Sequence, residues 1–360
     1  MRQVCVIPGE DAAAEAVEAT IALLEAMNLD IVWSWLRSPC ATGDAGRRVL
    51  TPEARQQIDS CEATLFGATG GPAAPALFYL RWGKGTYANV RPTRWFAGLP
   101  SPLADPRGID FVIVRENLED TYLGLEGELQ DLAPMGLVSR MAGRPPEELG
   151  DGAYALKVIT RAGSERVIRF AFELARARRA RGRPGKVTAT SKFNMLPRTD
   201  GLFIKVAREV AADYPDIASD TLIVDDCAHR LVREPQRLDV LVLPNLYGDI
   251  LSDAAAGLAG GLGVAASGCY GADYAYFESA HGTAPDIAGK GIVNPTATLF
   301  SAAMLLEHLK MYPQATELRE AIDAVYAEGK VLTPDHGGTA RTSDSCDAVL
   351  GNVQRKRNGR

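Results

Sequence analysis

The chain reads as an α/β protein built around a largely parallel sheet. Two observations lead to that class. Short apolar runs alternate with amphipathic stretches of helical length along most of the 360 residues, and the later apolar runs are each followed by helix-like sequence. In order, residues 3–7 read as a strand and 12–27 as a helix. Residues 63–67 form a strand ending in the Gly-rich turn ATGGP, and 110–114 (DFVIV) a buried strand. Residues 164–181 form a helix with Val167, Ile168, Phe170, Ala171, Leu174 and Ala175 on its apolar side. Residues 186–189, 221–224 and 240–243 are further short strands. Residues 132–152 break the rhythm with Pro134, Pro145, Pro146 and several glycines, which predicts a loop or an extended arm.

Composition narrows the class. A chain that is 46% hydrophobic and 23% charged is too apolar for disorder. Six scattered cysteines (Cys5, Cys40, Cys61, Cys227, Cys269, Cys346) without a C-x-x-C pair read as reduced, buried thiols. No run is long and apolar enough to span a membrane, and the start lacks the order of a signal peptide, so a cytoplasmic protein is expected. The net charge of −6 argues against generic nucleic-acid binding. The arginines at 176–183 read as a solvated helix C-terminus, and the tail RKRNGR as frayed.

No G-x-G-x-x-G occurs, so any dinucleotide is bound without the Rossmann fingerprint. Asp249 and Asp253 stand four apart after an apolar strand, and share one face if that segment is helical. Like charges at that spacing need a compensating cation or solvent. Mg²⁺ or Mn²⁺ with a third carboxylate from Asp225, read as the end of the strand TLIVD, is one solution; a solvated acidic face is the other. Arg81, Arg91 and Arg115 lie in apolar or strand-terminal settings, as structural ion-pair partners or, if they converge, as a polycarboxylate clamp. Tyr122 follows Arg115 by seven residues, and Lys192 follows the strand KVTAT, where a desolvated lysine can act as a base. The segment HGTAPDIAGKGIVNP at 281–295 is either a Gly/Pro turn region or a loop whose small residues let backbone approach a ligand. His229, His308 and His336 read as structural or exposed.

Together YANVRP, FVIVRENLEDTY, ITRAGSERVIRFAFELAR, TSKFNML, YGDILSD and HGTAPDIAGKGIVNP resemble the β-decarboxylating dehydrogenase family, which includes isocitrate, homoisocitrate, 3-isopropylmalate, D-malate and tartrate dehydrogenases. The resemblance spans nearly the whole chain, and its middle and C-terminal motifs look most like the isocitrate and homoisocitrate branches. It implies an isopropylmalate-dehydrogenase-like two-domain fold with mixed, mostly parallel sheets. Residues 1–90 plus 260–360 then form the large cofactor-binding domain, and 91–259 the small domain, with the dimer interface and an arm around 127–157.

The resemblance also implies NAD- and Mg²⁺/Mn²⁺-dependent oxidative decarboxylation of a 3-substituted (R)-malate. Lys192 matches the base, Tyr122 the residue protonating the enol, and Arg81, Arg91 and Arg115 the arginines on the malate carboxylates. Asp225, Asp249 and Asp253 match the metal aspartates, with the lysine and one aspartate contributed across a homodimer. Asp286 and Ile287 match NAD-type members, Asp286 holding the ribose diol and disfavouring a 2′-phosphate. Asn194, Glu278, His281, Gly282 and Asn294 match other positions around the dinucleotide.

Two departures bear on the substrate. The N-terminal family motif reads Pro8-Gly9-Glu10-Asp11-Ala12-Ala13. Where isocitrate enzymes carry Ser and Asn for the distal carboxylate, this chain has Pro75 and Leu77. Leu77 resembles the isopropylmalate and D-malate branches, and Lys84 or the arm is left as the source of any substitute charge. The rival readings are a catalytically silent regulatory subunit, or a specialised pathway enzyme acting on an unusual malate bearing a phosphonate or an aromatic tail.

Overall fold

The computed structural model describes residues 1–44 and 46–359. The N-terminal part supplies β1 (Arg2–Ile7), β2 (Ile31–Trp35), a short pair β3 (Cys40–Thr42) and β4 (Arg48–Leu50), and β5 (Ala63–Phe66). The middle supplies β6 (Ala88–Arg94), β7 (Asp110–Glu116), a second short pair β8 (Glu126–Glu128) and β9 (Ala153–Ala155), then β10 (Lys186–Ser191), β11 (Ala218–Ile223) and β12 (Val240–Leu243). β13 (Ala266–Tyr270) and β14 (Ala275–Ser279) complete the set. The helices are α1 (Asp11–Ala26), α2 (Pro52–Asp59), α3 (Ala74–Phe78), α4 (Arg161–Arg179) and α5 (Thr199–Ala211), followed by α6 (Val224–Arg233), α7 (Asn245–Leu258), α8 (Thr296–His308), α9 (Tyr312–Glu328) and α10 (Thr342–Asn358).

Ten strands form one continuous sheet in the order β11-β10-β12-β7-β6-β13-β14-β5-β1-β2. Six neighbouring pairs are parallel. The three antiparallel pairs, β7–β6, β6–β13 and β13–β14, meet at the centre. The expected mixed, mostly parallel sheet is therefore observed, with its antiparallel part confined to the seam.

Strand alternation explains where the core sits. Val4, Val6, Val90, Val112, Val114 and Phe277 share one large hydrophobic cluster with α4, α5, α8 and α9. The alternate residues face the other way and divide into two smaller cores. One holds Cys5, Ile7, Phe66 and Tyr276; the other holds Phe111, Ile113 and residues of α6 and α7. Arg115, Arg91 and Glu278 belong to this divided face by the same alternation, in the gap between its two cores.

Three local readings are corrected. Asp225 does not end a strand: β11 stops at Ile223, and Asp225 lies in the first turn of α6. The tail is helical to Asn358, and Arg357 anchors it through Glu317 and the Met27 carbonyl. The arginines in the last turn of α4 are paired rather than merely solvated. Arg178 binds Asp239 and Asp110, and Arg176 binds Asp216. The stretch 132–152 is built of short 3-10 turns and irregular chain between the paired strands β8 and β9, largely exposed, in keeping with an arm. Five of the cysteines are buried, Cys40 is half-buried, and all six are free. No helix among the described residues is long and apolar enough to cross a membrane.

Candidate active site

The site grows out of the β6–β7 pairing. Asn89 faces Arg115 and Arg91 faces Ile113 across the strands, so Arg91 and Arg115 sit diagonally on one face. α7 packs directly over them. Gly248 makes that approach possible, because a Cβ there would lie 2.7 Å from the Arg115 side chain. The helix turn then carries Asp249, Ser252 and Asp253 toward the arginines, as the spacing in YGDILSD predicts.

Arg91 Nη1 donates to Asp249 Oδ1 at 3.1 Å, Ser252 Oγ at 2.7 Å and Asp253 Oδ1 at 3.2 Å. The cation that relieves the Asp249–Asp253 repulsion within this chain is therefore a guanidinium. Arg115 Nε donates to Asn245 Oδ1 at 2.8 Å and Nη1 to Asp249 Oδ1 at 2.5 Å. The Tyr122 hydroxyl donates to Asp249 Oδ2, and its ring stands 5.0 Å from the Arg115 guanidinium carbon. Arg81 lies in a π-helical turn after α3; its Nε donates to the Tyr276 hydroxyl at 3.2 Å and its guanidinium reaches Glu278 at 4.0 Å.

Electrostatics show what this cluster lacks. Burial, with the neighbouring charge of Arg91, pushes Arg115 down to about 10. Burial pushes Glu278 up, opposed by Arg81, Arg91 and Arg115, so all three cations bear on one carboxyl. Burial also raises Asp249, but Arg115 and Arg91 outweigh it and hold its carboxyl below the usual range. The Tyr122 phenol is raised by burial and by its bond to Asp249, which keeps it protonated as a donor. Arg91 Nε and Arg115 Nη2 are buried without hydrogen-bond partners. Buried charged donors with free N–H groups suit an incoming carboxylate.

The second pair lies at the C-terminal ends of β10 and β11. Lys192 Nζ is 2.6 Å from Asp225 Oδ1, which holds that exposed carboxylate below its ordinary value. Among the described residues no hydrogen bond or ion pair joins this pair to the arginine cluster, and no group of three acidic or imidazole side chains forms a metal site within one chain. Asn194 is exposed just beyond Lys192.

The 281–295 loop has the properties of a ligand cradle. His281 Nε2 is buried and unpartnered, while Nδ1 lies 2.8 Å from the Gly282 carbonyl. Burial lowers the imidazole pKa, favouring the neutral ring. Gly282 is exposed, and a Cβ there would meet nothing within 4 Å. Asp286 is exposed; Lys290 bonds its backbone carbonyl and leaves the carboxylate free among the described residues. Ile287 packs on α1 beside Ala12 and Ala16, and Glu15 accepts from the Gly289 and Gly291 amides at 2.5 and 2.9 Å. Asn294 is buried and spends its amide on Thr296, Tyr326 and Asp335.

In the altered N-terminal motif, Glu10 accepts from the Gly70 amide at 2.6 Å, the Ala73 amide at 2.8 Å and the Thr69 hydroxyl at 2.9 Å. It thereby staples the Gly-rich turn to α1. Gly67 is required there, since a Cβ would fall 1.9 Å from the Pro8 carbonyl oxygen.

Leu77, one helical turn before Arg81, is half-buried against the core that contains Tyr276. Lys84 is committed elsewhere: its Nζ is 2.6 Å from Asp59 and 4.4 Å from the Tyr274 ring.

The structure adds Asn245, Ser252 and Tyr276 to the site. The first two lie four residues before and three after Asp249, on its helical face; Tyr276 shares a strand face with Glu278. That spacing was a usable signal.

Comparison with known proteins decides the family. A family model described as isocitrate/isopropylmalate dehydrogenase matches residues 3–349. The chain belongs to this family. It is 40% identical to a 3-isopropylmalate/3-methylmalate dehydrogenase of Methanocaldococcus jannaschii, over 98% of this chain and 99% of that one. It is 41% identical to an isocitrate/homoisocitrate dehydrogenase of Thermus thermophilus, over 97% of each. The isocitrate dehydrogenase structure from Methylococcus capsulatus matches with a TM-score of 0.81 and 36% identity, covering 98% of this chain and all of that one. As a member of the isocitrate/isopropylmalate dehydrogenase family, the chain is a decarboxylating oxidoreductase acting on a small hydroxy acid.

Proposed function

We propose that this chain is an NAD- and Mg²⁺/Mn²⁺-dependent dehydrogenase that oxidises and decarboxylates a 3-substituted (R)-malate with an apolar C3 substituent. The observation that carries the reading is the convergence of Arg81, Arg91 and Arg115 on one buried face with free N–H groups on two of them. Three guanidinium groups there match the carboxylates of a malate. Relatives named for isopropylmalate, methylmalate, isocitrate and homoisocitrate share nearly the full length. Leu77 beside Arg81, with Lys84 held by Asp59, favours an alkyl substituent over a third carboxylate.

When bound, the divalent cation supplies Lewis acidity at the substrate's hydroxyl and keto oxygen, and NAD supplies the two-electron oxidant. Asp249 and Asp253 would hold the cation with a partner subunit's third carboxylate; carboxylate oxygens suit Mg²⁺ and Mn²⁺. Lys192, as the free amine once its own proton has passed to solvent, takes the hydroxyl proton, and Asp225 holds its head group in place. Arg91 and Arg115 bind and orient the malate. Tyr122, protonated and pinned by Asp249, returns a proton to the enol carbon after CO₂ leaves. His281 and Asp286 fit the dinucleotide, the first through its unpartnered Nε2 and the second through its free carboxylate.

A homodimer brings Lys192 and Asp225 of one copy to the arginines of the other. It also covers the exposed Met195, Leu196 and Ile250, and the arm's Met135, Val138 and Met141. The grouping of 1–90 with 260–360 and of 91–259 follows the sheet order, with β6 and β13 at the seam. Lys192 and Tyr122 are both present in the sequence, which favours turnover over a silent subunit.

The test is NADH and CO₂ formation from 3-methylmalate, 3-isopropylmalate, homoisocitrate and isocitrate with Mn²⁺. The alkyl malates are expected to lead isocitrate by at least about tenfold in kcat/KM. Efficient isocitrate turnover would overturn the apolar assignment, and oxidation without CO₂ would overturn the reaction.

A further inference from the structure

We propose that Lys157 is a positioning residue that locks three functional segments together, an inference that rests on the roles given above to Lys192 and Tyr122. Lys157 closes the arm just after β9, and its side chain is 15% exposed. Its Nζ lies 2.7 Å from Asp200 Oδ1 and 3.5 Å from Asp120 Oδ1. It also stands 4.1 Å from the centre of the Tyr247 ring. Both carboxylates are fully buried, so two like charges share one ammonium in the interior.

Each carboxylate spends its remaining capacity on a candidate catalytic segment. Asp200 Oδ2 accepts the Lys192 backbone N–H at 2.7 Å, and the Asp200 carbonyl accepts from Ser191 Oγ at 3.2 Å. Those bonds set the end of β10, from which the Lys192 side chain departs. Asp120 Oδ1 accepts the Thr121 N–H at 2.9 Å, one residue before Tyr122. Asp120 Oδ2 accepts the Leu246 N–H at 3.1 Å, in the first turn of the helix that carries Asp249. Asp120 has φ +70°, a left-handed conformation uncommon for a residue other than glycine. Its two side-chain bonds and the Asp120 N–H to Val158 carbonyl bond at 2.9 Å hold it there. Lys157 is thus the common counter-charge for the end of β10, the turn bearing Tyr122 and the N-terminus of α7. Tyr247 closes the same site, and burial pushes its phenol well up, with Asp200 adding to the effect. None of these groups touches the arginine cluster directly except through the segments they fix.

A purely structural ion pair would cost stability when broken but leave the rate per folded molecule unchanged. A positioning role predicts a loss in kcat, because a misplacement of about 1 Å costs on the order of 10²-fold. The test uses the full-length enzyme with Mn²⁺, NAD and whichever malate of the panel above turns over fastest. Lys157→Met keeps the stem and removes the charge. It is expected to lower kcat about 10²-fold while KM for the malate moves less than about threefold, and Lys157→Arg to recover at least about tenfold of the loss. Lys157→Met/Asp200→Asn leaves one buried carboxylate rather than two, and serves if the single variant does not fold; its kcat is expected at least about tenfold below wild type. Near-wild-type kcat in whichever of these folds would overturn the proposal. Lys192→Ala is run in parallel: an active Lys192→Ala enzyme sinks the reading of the site itself, whereas a dead one beside a fully active Lys157→Met enzyme sinks the positioning role alone.

Discussion

Lys192 Nζ stands 2.6 Å from Asp225 Oδ1 across the C-terminal ends of two adjacent parallel strands, β10 and β11. Ligands of open α/β sheets bind at such strand ends. Asp225 is exposed and Lys192 half-buried, so the pair contributes little to folding. Lys192→Ala is therefore expected to cut kcat by at least about 10³-fold while the thermal midpoint stays at the wild-type value. Steady-state kinetics beside a melting curve check both halves; activity near wild type would remove Lys192 as the base.

The aspartates of α7 make a metal prediction. Burial pushes Asp253 up, Arg91 opposes it and Asp249 adds to it. Asp253→Asn is expected to raise the Mn²⁺ concentration for half-maximal activity at least about tenfold, and chelation with EDTA to abolish turnover in the wild type. Because protonation of Asp253 competes with the cation, Mn²⁺ affinity should fall as pH drops through the acid range. Mn²⁺ titrations of activity at several pH values read this directly.

The proposed preference for NAD rests on Asp286, whose carboxylate is exposed and free of protein partners among the described residues. NAD is expected to exceed NADP by at least about 10²-fold in kcat/KM, and Asp286→Ala to narrow the gap mainly by raising KM for NAD. A wild-type enzyme that prefers NADP would contradict the assignment.

Glu116 gives a stability prediction with a defined sign. It is buried on the face of β7 opposite Arg115, 3.8 Å from Arg166, accepts the Leu118 and Glu119 amides, and burial raises its carboxyl from 4.5 to about 7. Between those values the native state binds more protons than the unfolded chain. The stabilisation from this group is complete below 4.5 and is lost as pH rises through about 7. Glu116→Gln loses an acceptor at every pH but removes this titration. Its stability relative to wild type is therefore expected to improve by up to about 3 kcal/mol between pH 4 and pH 8. Denaturant unfolding at the two pH values measures it, and a pH-independent difference would refute the assignment.

Much of this protein is legible in one dimension because the signals are local. Strand alternation and helix period located β1, α1, β5, β7, α4, β10, β11 and β12 within a few residues, and the four-residue step from Asp249 to Asp253 put both on one helical face. Even Asn245 and Ser252 could be read from that period. What the sequence left open was which partner each charge takes. That choice depends on the β6–β7 register, on Gly248 admitting α7 onto β7, and on the gap between the two smaller cores. These are contacts between residues from tens to more than a hundred positions apart, and charge and spacing alone cannot rank the candidates. Only the folded chain shows that Arg91 serves as the cation for the α7 aspartates, that Asp59 has taken Lys84, and that one lysine at the end of the arm answers two buried carboxylates.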